Sequence, residues 1–238
     1  MRSRAPIVLS WSGGKDSALA LHALRSGGRY EVVSLLTTVA AAYDRVSHHG
    51  VRVELLERQA AALGVPLRKV ILAPDACTME HYETRMEEAL LEYKAAGVCG
   101  VASGDIFLRP LRAYRERILG ELGLEALFPI WGRDTGELMR TFLALGFRGC
   151  IACVDGGKLS AAFAGRAISH DLLAELPAGV DPCGEHGEFH TFVYDGPIFR
   201  HPVHITVGEV VRRDVRYFAD LLPREAGDAP PAAAGGAP

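Results

Sequence analysis

Ile7-Val8-Leu9-Ser10-Trp11-Ser12-Gly13-Gly14-Lys15-Asp16-Ser17-Ala18-Leu19-Ala20-Leu21-His22-Ala23-Leu24 reads as three consecutive structures. The apolar run Ile7-Val8-Leu9 is a buried strand, Ser12 to Ser17 is a glycine turn, and Ala18 to Leu24 opens a helix. A helix that starts directly after such a turn presents unpaired backbone N–H groups and a positive dipole end, which together accept an anion. Gly13 and Gly14 permit close approach and unusual dihedrals, and Lys15 adds a mobile positive charge. The spacing is not that of the mononucleotide loop G-x-x-x-x-G-K-[ST], because the two glycines are adjacent and Asp16 follows Lys15.

Outward from this loop the chain alternates short strands with helices. Val32 to Thr38 is a second strand, and Val51 to Leu63 a helix stopped by Gly64-Val65-Pro66. Leu67 to Leu72 is a third strand, Met79 to Ala96 a long charged helix, and Val98 to Ala102 a fourth strand ending at Ser103-Gly104-Asp105. Repeated β-α units with short joints predict an α/β fold, a parallel sheet wrapped by helices on both faces. Ligands bind such sheets at the carboxyl ends of the strands. The Ser12–Ser17 loop, Thr37-Thr38 and Gly104-Asp105 all fall there, so they are expected to share one site.

Beyond Phe128-Pro129-Ile130-Trp131-Gly132 the pattern changes. Thr135 to Leu145 is a helix capped by Asp134, Arg148 to Val154 a strand, and Asp171 to Leu176 a short helix. The segment from Asp181 to Val193 is dense in groups that hydrogen-bond, ionise or bind metals. These features predict a first domain over residues 5–130, a smaller α+β domain over 131–224 with a cleft between the two, and a disordered tail over 225–238, whose Ala/Gly/Pro composition buries too little to order it.

The chain has 238 residues, 49% of them hydrophobic, with 26 basic and 29 acidic side chains and a formal charge of −3. That balance argues against a surface devoted to nucleic acid. There is no apolar run of membrane-spanning length. Met1 to Pro6 leads straight into the first strand, leaving no room for a secretory leader, and the odd cysteine count suits a reducing compartment, so a cytoplasmic protein is expected. Assembly as a homo-oligomer is left open.

The hexapeptide resembles the PP-loop of the N-type ATP pyrophosphatases, enzymes that cleave ATP between the α- and β-phosphates and adenylate a substrate. Together with Arg45-Val46-Ser47-His48-His49-Gly50, Gly104-Asp105-Ile106-Phe107, Leu127 to Gly132, Cys153-Val154-Asp155 and Asp181 to Thr191, it resembles the diphthine–ammonia ligase family from Ile7 to about Leu222. That resemblance implies the adenine nucleotide alpha hydrolase-like fold, ATP and Mg²⁺, and a ligase that adenylates a carboxylate and transfers ammonia to it. It narrows on Glu185-His186-Gly187-Glu188-Phe189-His190, where the diphthamide-forming enzymes usually carry Glu-Gly-Gly-Glu. The His-Thr ending is more similar to a bacterial branch for which vitamin B12 salvage has been proposed. The acceptor carboxylate implied is therefore diphthine on an elongation factor or a small molecule such as a corrinoid precursor.

The resemblance also assigns roles. Ser12, Gly13, Gly14, Lys15, Asp16, Ser17, Thr37 and Gly104 are expected to bind the nucleotide, with Lys15 and Mg²⁺ offsetting charge on the departing pyrophosphate. Asp16 and Asp105 are the expected Mg²⁺ ligands, Asp16 alternatively a helix first-turn carboxylate. Lys15, Asp105, Glu185 and Glu188 are the expected catalytic set, with one of the two glutamates binding ammonium or deprotonating it. His48 and His49 are either phosphate contacts or a solvated loop pair. Arg109, Arg112 and Arg115 are either a basic patch or a solvated helix face. Cys150-x-x-Cys153 has three readings: buried apolar cysteines, a zinc site with Cys183, His186 or His190, or a persulfide pair. The last would make the protein a PP-loop sulfur transferase, and a third class, a sensor that binds adenine nucleotide without turnover, also remains.

Overall fold

The computed structural model describes residues 4–40, 45–46, 50–72, 78–225 and 227. His48, His49, Cys77 and nearly all of the expected tail lie outside them. Strand β1 (Ala5–Ser10) leads into helix α1 (Lys15–Gly27), and β2 (Tyr30–Ala40) and β3 (Arg45–Val46) into α2 (Val53–Leu63). Then follow β4 (Leu67–Leu72), α3 (Met79–Ala95), β5 (Gly100–Ala102), α4 (Arg109–Glu121) and β6 (Glu125–Leu127). The parallel strands lie in the order β4-β2-β1-β5-β6, with β3 antiparallel to the end of β2. The chain builds outward from β1 to β2 and β4, then returns to the other side with β5 and β6. That reversal puts a crevice at the carboxyl ends of β1 and β5, where open α/β sheets bind ligands.

The near-continuous apolar character of the inner strands β1, β2 and β5 follows from burial on both faces. Ile7, Leu9 and Leu35 join one core, while Val8, Leu36, Val70 and Val101 join a second core with Ala89 and Leu90 of α3 and Leu119 of α4. A strand residue and its neighbour point to opposite faces, so β1 and β2 serve both cores alternately.

The second half is a separate antiparallel sheet in the order β8-β7-β10-β9, made by β7 (Arg148–Asp155), β8 (Phe189–Asp195), β9 (Ile205–Arg213) and β10 (Arg216–Pro223). Helices α5 (Thr135–Ala144) and α6 (His170–Glu175) accompany it. The side chain of Asp134 caps α5 by accepting from the Glu137 amide at 2.7 Å. This sheet does not stand apart from the first: Phe142, Cys150, Ile151, Phe192 and Leu221 share one core with Leu19, Leu21, Leu24, Leu55 and Leu56 of α1 and α2. Helix α1 is thus pressed between two sheets. Its run Ala18-Leu19-Ala20-Leu21, buried throughout, is apolar around much of its circumference for that reason. No helix among the described residues is long and apolar enough to cross a membrane.

Candidate active site

The turn after β1 is held from below and from across. Gly13 has φ +79°, a conformation favouring glycine, and a Cβ there would sit 2.8 Å from Gln59 Oε1. The Gly13 carbonyl accepts from Val193 N at 2.9 Å and from Gln59 Nε2 at 3.0 Å. Gly14 forms the N-cap of α1 without a side-chain bond of its own. Its amide donates to Ser12 Oγ at 3.2 Å, and Ser17 Oγ donates to its carbonyl at 2.9 Å. The next amide, Lys15 N, donates to Thr191 Oγ1 of β8 at 3.0 Å.

Lys15 departs from the mobile loop charge expected of it, since its side chain is only 2% exposed. The segment from Asp181 to Phe189 folds over the loop, and the ammonium donates to the Cys183 carbonyl and, at 2.9 Å, to Asp16 Oδ2. The Phe189 ring lies 5.4 Å from it. Burial opposes the charge, but the Asp16 carboxylate, which also accepts a hydrogen bond from the ammonium, and Glu185 outweigh burial, and the Lys15 pKa is raised. Lys15 is therefore an ammonium fixed in place by both halves of the chain.

These groups line one pocket of about 340 Å³ between the two sheets. Ser12, Gly14, Lys15, Asp16 and Ser17 form its floor, Thr37 and Thr38 one side, and Ser103, Gly104 and Asp105 another. The second half contributes Cys183, Glu185, His190 and Thr191, and Met86, Leu108 and Leu111 give it an apolar wall. The three strand-end segments expected to share a site do so. Gly104 is required by close approach, since a Cβ there would lie 2.8 Å from the Asp16 carbonyl carbon. Asp105 pairs with Arg115 of α4, Oδ2 to Nε 2.6 Å. Asp16 Oδ1 is buried and accepts no hydrogen bond.

The two glutamates separate. Glu185 lines the pocket, and its Oε1 accepts from the Ile106 and Phe107 amides at 2.9 and 3.4 Å, tying the second half to the loop after β5. Burial pushes its carboxyl up, against those amides and despite the Lys15 charge. Glu188 is 3% exposed and outside the pocket lining. Its Oε1 accepts from Asp181 N at 3.2 Å, holding the turn that carries Cys183 and Glu185, and its Oε2 has no hydrogen-bond partner.

The arginines of α4 also go different ways. Arg115 reaches the pocket, Arg112 lies over the Phe128 and Trp131 rings at 4.9 and 4.7 Å, and Arg109 is exposed. Cys150 and Cys153 are buried free thiols in β7 and line no part of the pocket. Burial raises them to about 12 and about 11. No group of three or more metal-binding side chains occurs among the described residues. Gln59 and Thr191 are not among the site residues that the sequence predicts. Gln59 had a legible signal, an amide on the otherwise apolar stripe Leu55, Leu56, Ala60, Leu63. Thr191 had none beyond its place in a polar segment.

Residues 5–126 match the family described as diphthamide synthase N-terminal domain, and residues 134–221 the one described as diphthamide synthase C-terminal domain. The human protein named diphthine–ammonia ligase is 26% identical over 236 residues, covering 88% of this chain and 86% of the human one. The Danio rerio protein of that name is 26% identical over 232 residues, covering 88% and 90%. The Schizosaccharomyces pombe protein of that name is 25% identical over 219 residues, covering 84% of this chain but 36% of its own, longer sequence.

Proposed function

The chain belongs to the diphthamide synthase family, and on that premise we propose that it is an ATP-dependent ligase forming an amide from a carboxylate and ammonia. Carboxylates do not react with ammonia at neutral pH because oxide is a poor leaving group. Adenylation replaces it with AMP and expels pyrophosphate. We take residues 5–130 as the ATP-binding unit and 131–224 as the unit that receives the acceptor.

One observation carries the reading: a helix N-terminus with a buried ammonium and the carboxylate of Glu185 line the same pocket from opposite halves of the chain. Ser12 offers a hydroxyl donor to the phosphates, and the Gly14 amide and Ser17 hydroxyl would join it by exchanging their bonds to Ser12 Oγ and the Gly14 carbonyl. Lys15 offsets the negative charge that grows on the leaving pyrophosphate. Mg²⁺ is commonly held by one or two carboxylates plus phosphate oxygens. Asp16, with a buried oxygen that accepts no hydrogen bond, and Asp105 fit that donor set, and the ion would add to the charge neutralisation. Glu185 would bind ammonium or take its proton. Its raised pKa brings it closer to the operating range of a general base. Glu188 serves as the prop of the turn carrying Glu185.

The acceptor class is a carboxylate, either diphthine on an elongation factor or a smaller acid such as a corrinoid precursor. Sulfur transfer is less well supported, because Cys150 and Cys153 are buried away from the pocket. The test is incubation with MgATP, an ammonium salt and candidate carboxylates. Equal amounts of AMP, pyrophosphate and amide are expected. Release of ADP instead, or nucleotide binding without exchange of labelled pyrophosphate into ATP for any acceptor, overturns the reading, the second outcome in favour of a sensor.

A further inference from the structure

Gln59 lies beneath the nucleotide loop with no exposed surface. Its Oε1 accepts from Trp11 Nε1 at 3.0 Å, and its Nε2 donates to the Gly13 and Val193 carbonyls at 3.0 and 2.6 Å. An indole N–H only donates and a carbonyl only accepts, so the amide has one satisfied orientation, oxygen toward Trp11 and NH₂ toward the two carbonyls. Val193 completes the ring by giving its own N–H to the Gly13 carbonyl at 2.9 Å. Both amide protons of this fully buried side chain are thus spent on the loop and on the strand from the second half, and its oxygen on Trp11.

In a trans peptide the carbonyl and the following N–H point in opposite directions. Two donors holding the Gly13 oxygen beneath the loop therefore turn the Gly14 N–H toward the pocket wall, where it meets Ser12 Oγ. A Gly-Gly peptide cannot keep that orientation by itself, because neither residue has a Cβ to restrict it and Gly13 already sits at positive φ. We propose that Gln59 is a positioning residue for phosphate recognition. Its amide fixes the Gly13–Gly14 peptide with its N–H toward the pocket and makes that orientation depend on the seating of β8. The inference rests on the reading above that this loop holds the phosphates of ATP.

The test uses magnesium pyrophosphate as the probe and the ¹⁵N-labelled full chain, read at the Gly13 and Gly14 amides. In Gln59→Leu, which keeps the volume, pyrophosphate affinity should fall about tenfold or more, the equivalent of one or two hydrogen bonds. In Gln59→Glu the ionised carboxylate accepts from Trp11 but donates to neither carbonyl, whereas the protonated acid can donate to one. Its affinity relative to the native protein should therefore recover as pH falls from about 8 to about 6, the range to which burial raises a carboxyl. Lower melting temperatures with unchanged affinity per folded molecule, and no pH-dependent ratio, would show a merely structural role and overturn the proposal. Should one variant fail to fold, the other decides alone. If the native protein binds no pyrophosphate at these amides, the phosphate-loop reading falls and takes this one with it. Native binding matched by both variants removes only the role of Gln59.

Discussion

Lys15 holds its ammonium where water does not reach, so the protein itself must balance the charge, through Asp16 and the Cys183 carbonyl. Its replacement should therefore be felt twice. Lys15→Met keeps the alkyl stem but leaves Asp16 without its counter-charge, which should lower stability by about 1–3 kcal/mol in urea unfolding. Pyrophosphate formation should fall about 10²–10³-fold, the effect of removing one fixed group from a developing anion. Unchanged turnover would remove Lys15 from the neighbourhood of the leaving group. Glu185 behaves in the opposite sense. Burial raises its pKa in the folded state, so its contribution to stability is fully present below the ordinary carboxylate range and is lost as pH rises through the folded value. Glu185→Gln, neutral at every pH and still able to accept from Ile106 N, should be at least as stable as the native protein at pH 7. The difference should shrink on acidification. Amide formation should drop about 10²–10⁴-fold. A Gln variant with native turnover would mark Glu185 as a structural clamp only.

At the scale of elements, the N-terminus of α1 is served from another part of the chain. Gly14 supplies no side-chain cap, and Thr191 of β8 accepts the Lys15 amide instead. Thr191→Val keeps the shape and removes the acceptor. It should cost about 0.5–2 kcal/mol, the range for losing a cap, measurable as a shift in the urea midpoint. Absence of a shift would mean that water replaces the hydroxyl freely. The helices and strands themselves were largely legible. Leu67–Leu72 is the strand expected there, and Asp134 caps α5 as its side chain and position predict. Helix α2 starts at Val53, two residues later than the apolar pattern suggests, because Val51 is buried for packing and not as part of the helix. The pairing of Thr191 with α1 was not legible, because the two are 176 residues apart and no local pattern encodes such a contact.

For the molecule as a whole, one core spans both sheets, and it includes Cys150. Cys150 and the equally buried Cys153 have folded pKa values of about 12 and about 11, raised by burial. Stability linked to these thiols is fully present below the ordinary thiol range and is lost as pH rises through the folded values. Each thiol should cost about 1.4 kcal/mol at about pH 10, one unit above a free thiol at about 9. Urea midpoints should therefore fall between about pH 8 and about pH 10, and the fall should be smaller in Cys150→Ala/Cys153→Ala. That double variant should keep ATP cleavage, since neither thiol lines the pocket. An identical pH slope in the variant would mean that both thiols ionise freely in the folded chain.

The sequence by itself determined the α/β order, the glycine turn after β1 and the meeting of Thr37, Gly104 and Asp105 with that turn. Each depends on local periodicity, or on the rule that parallel strands end on one side of a sheet. Tertiary structure alone decided that Lys15 is buried, that Glu185 faces the pocket while Glu188 lies behind it, and that Arg115 parts company with Arg109 and Arg112. The third outcome depends on the side chains that α4 meets, Asp105 for Arg115 and the Phe128 and Trp131 rings for Arg112. The first two depend on how the antiparallel sheet packs over α1 and α2. That packing is a contact between distant segments, driven by a shared apolar core whose partners carry no mark of one another in the chain.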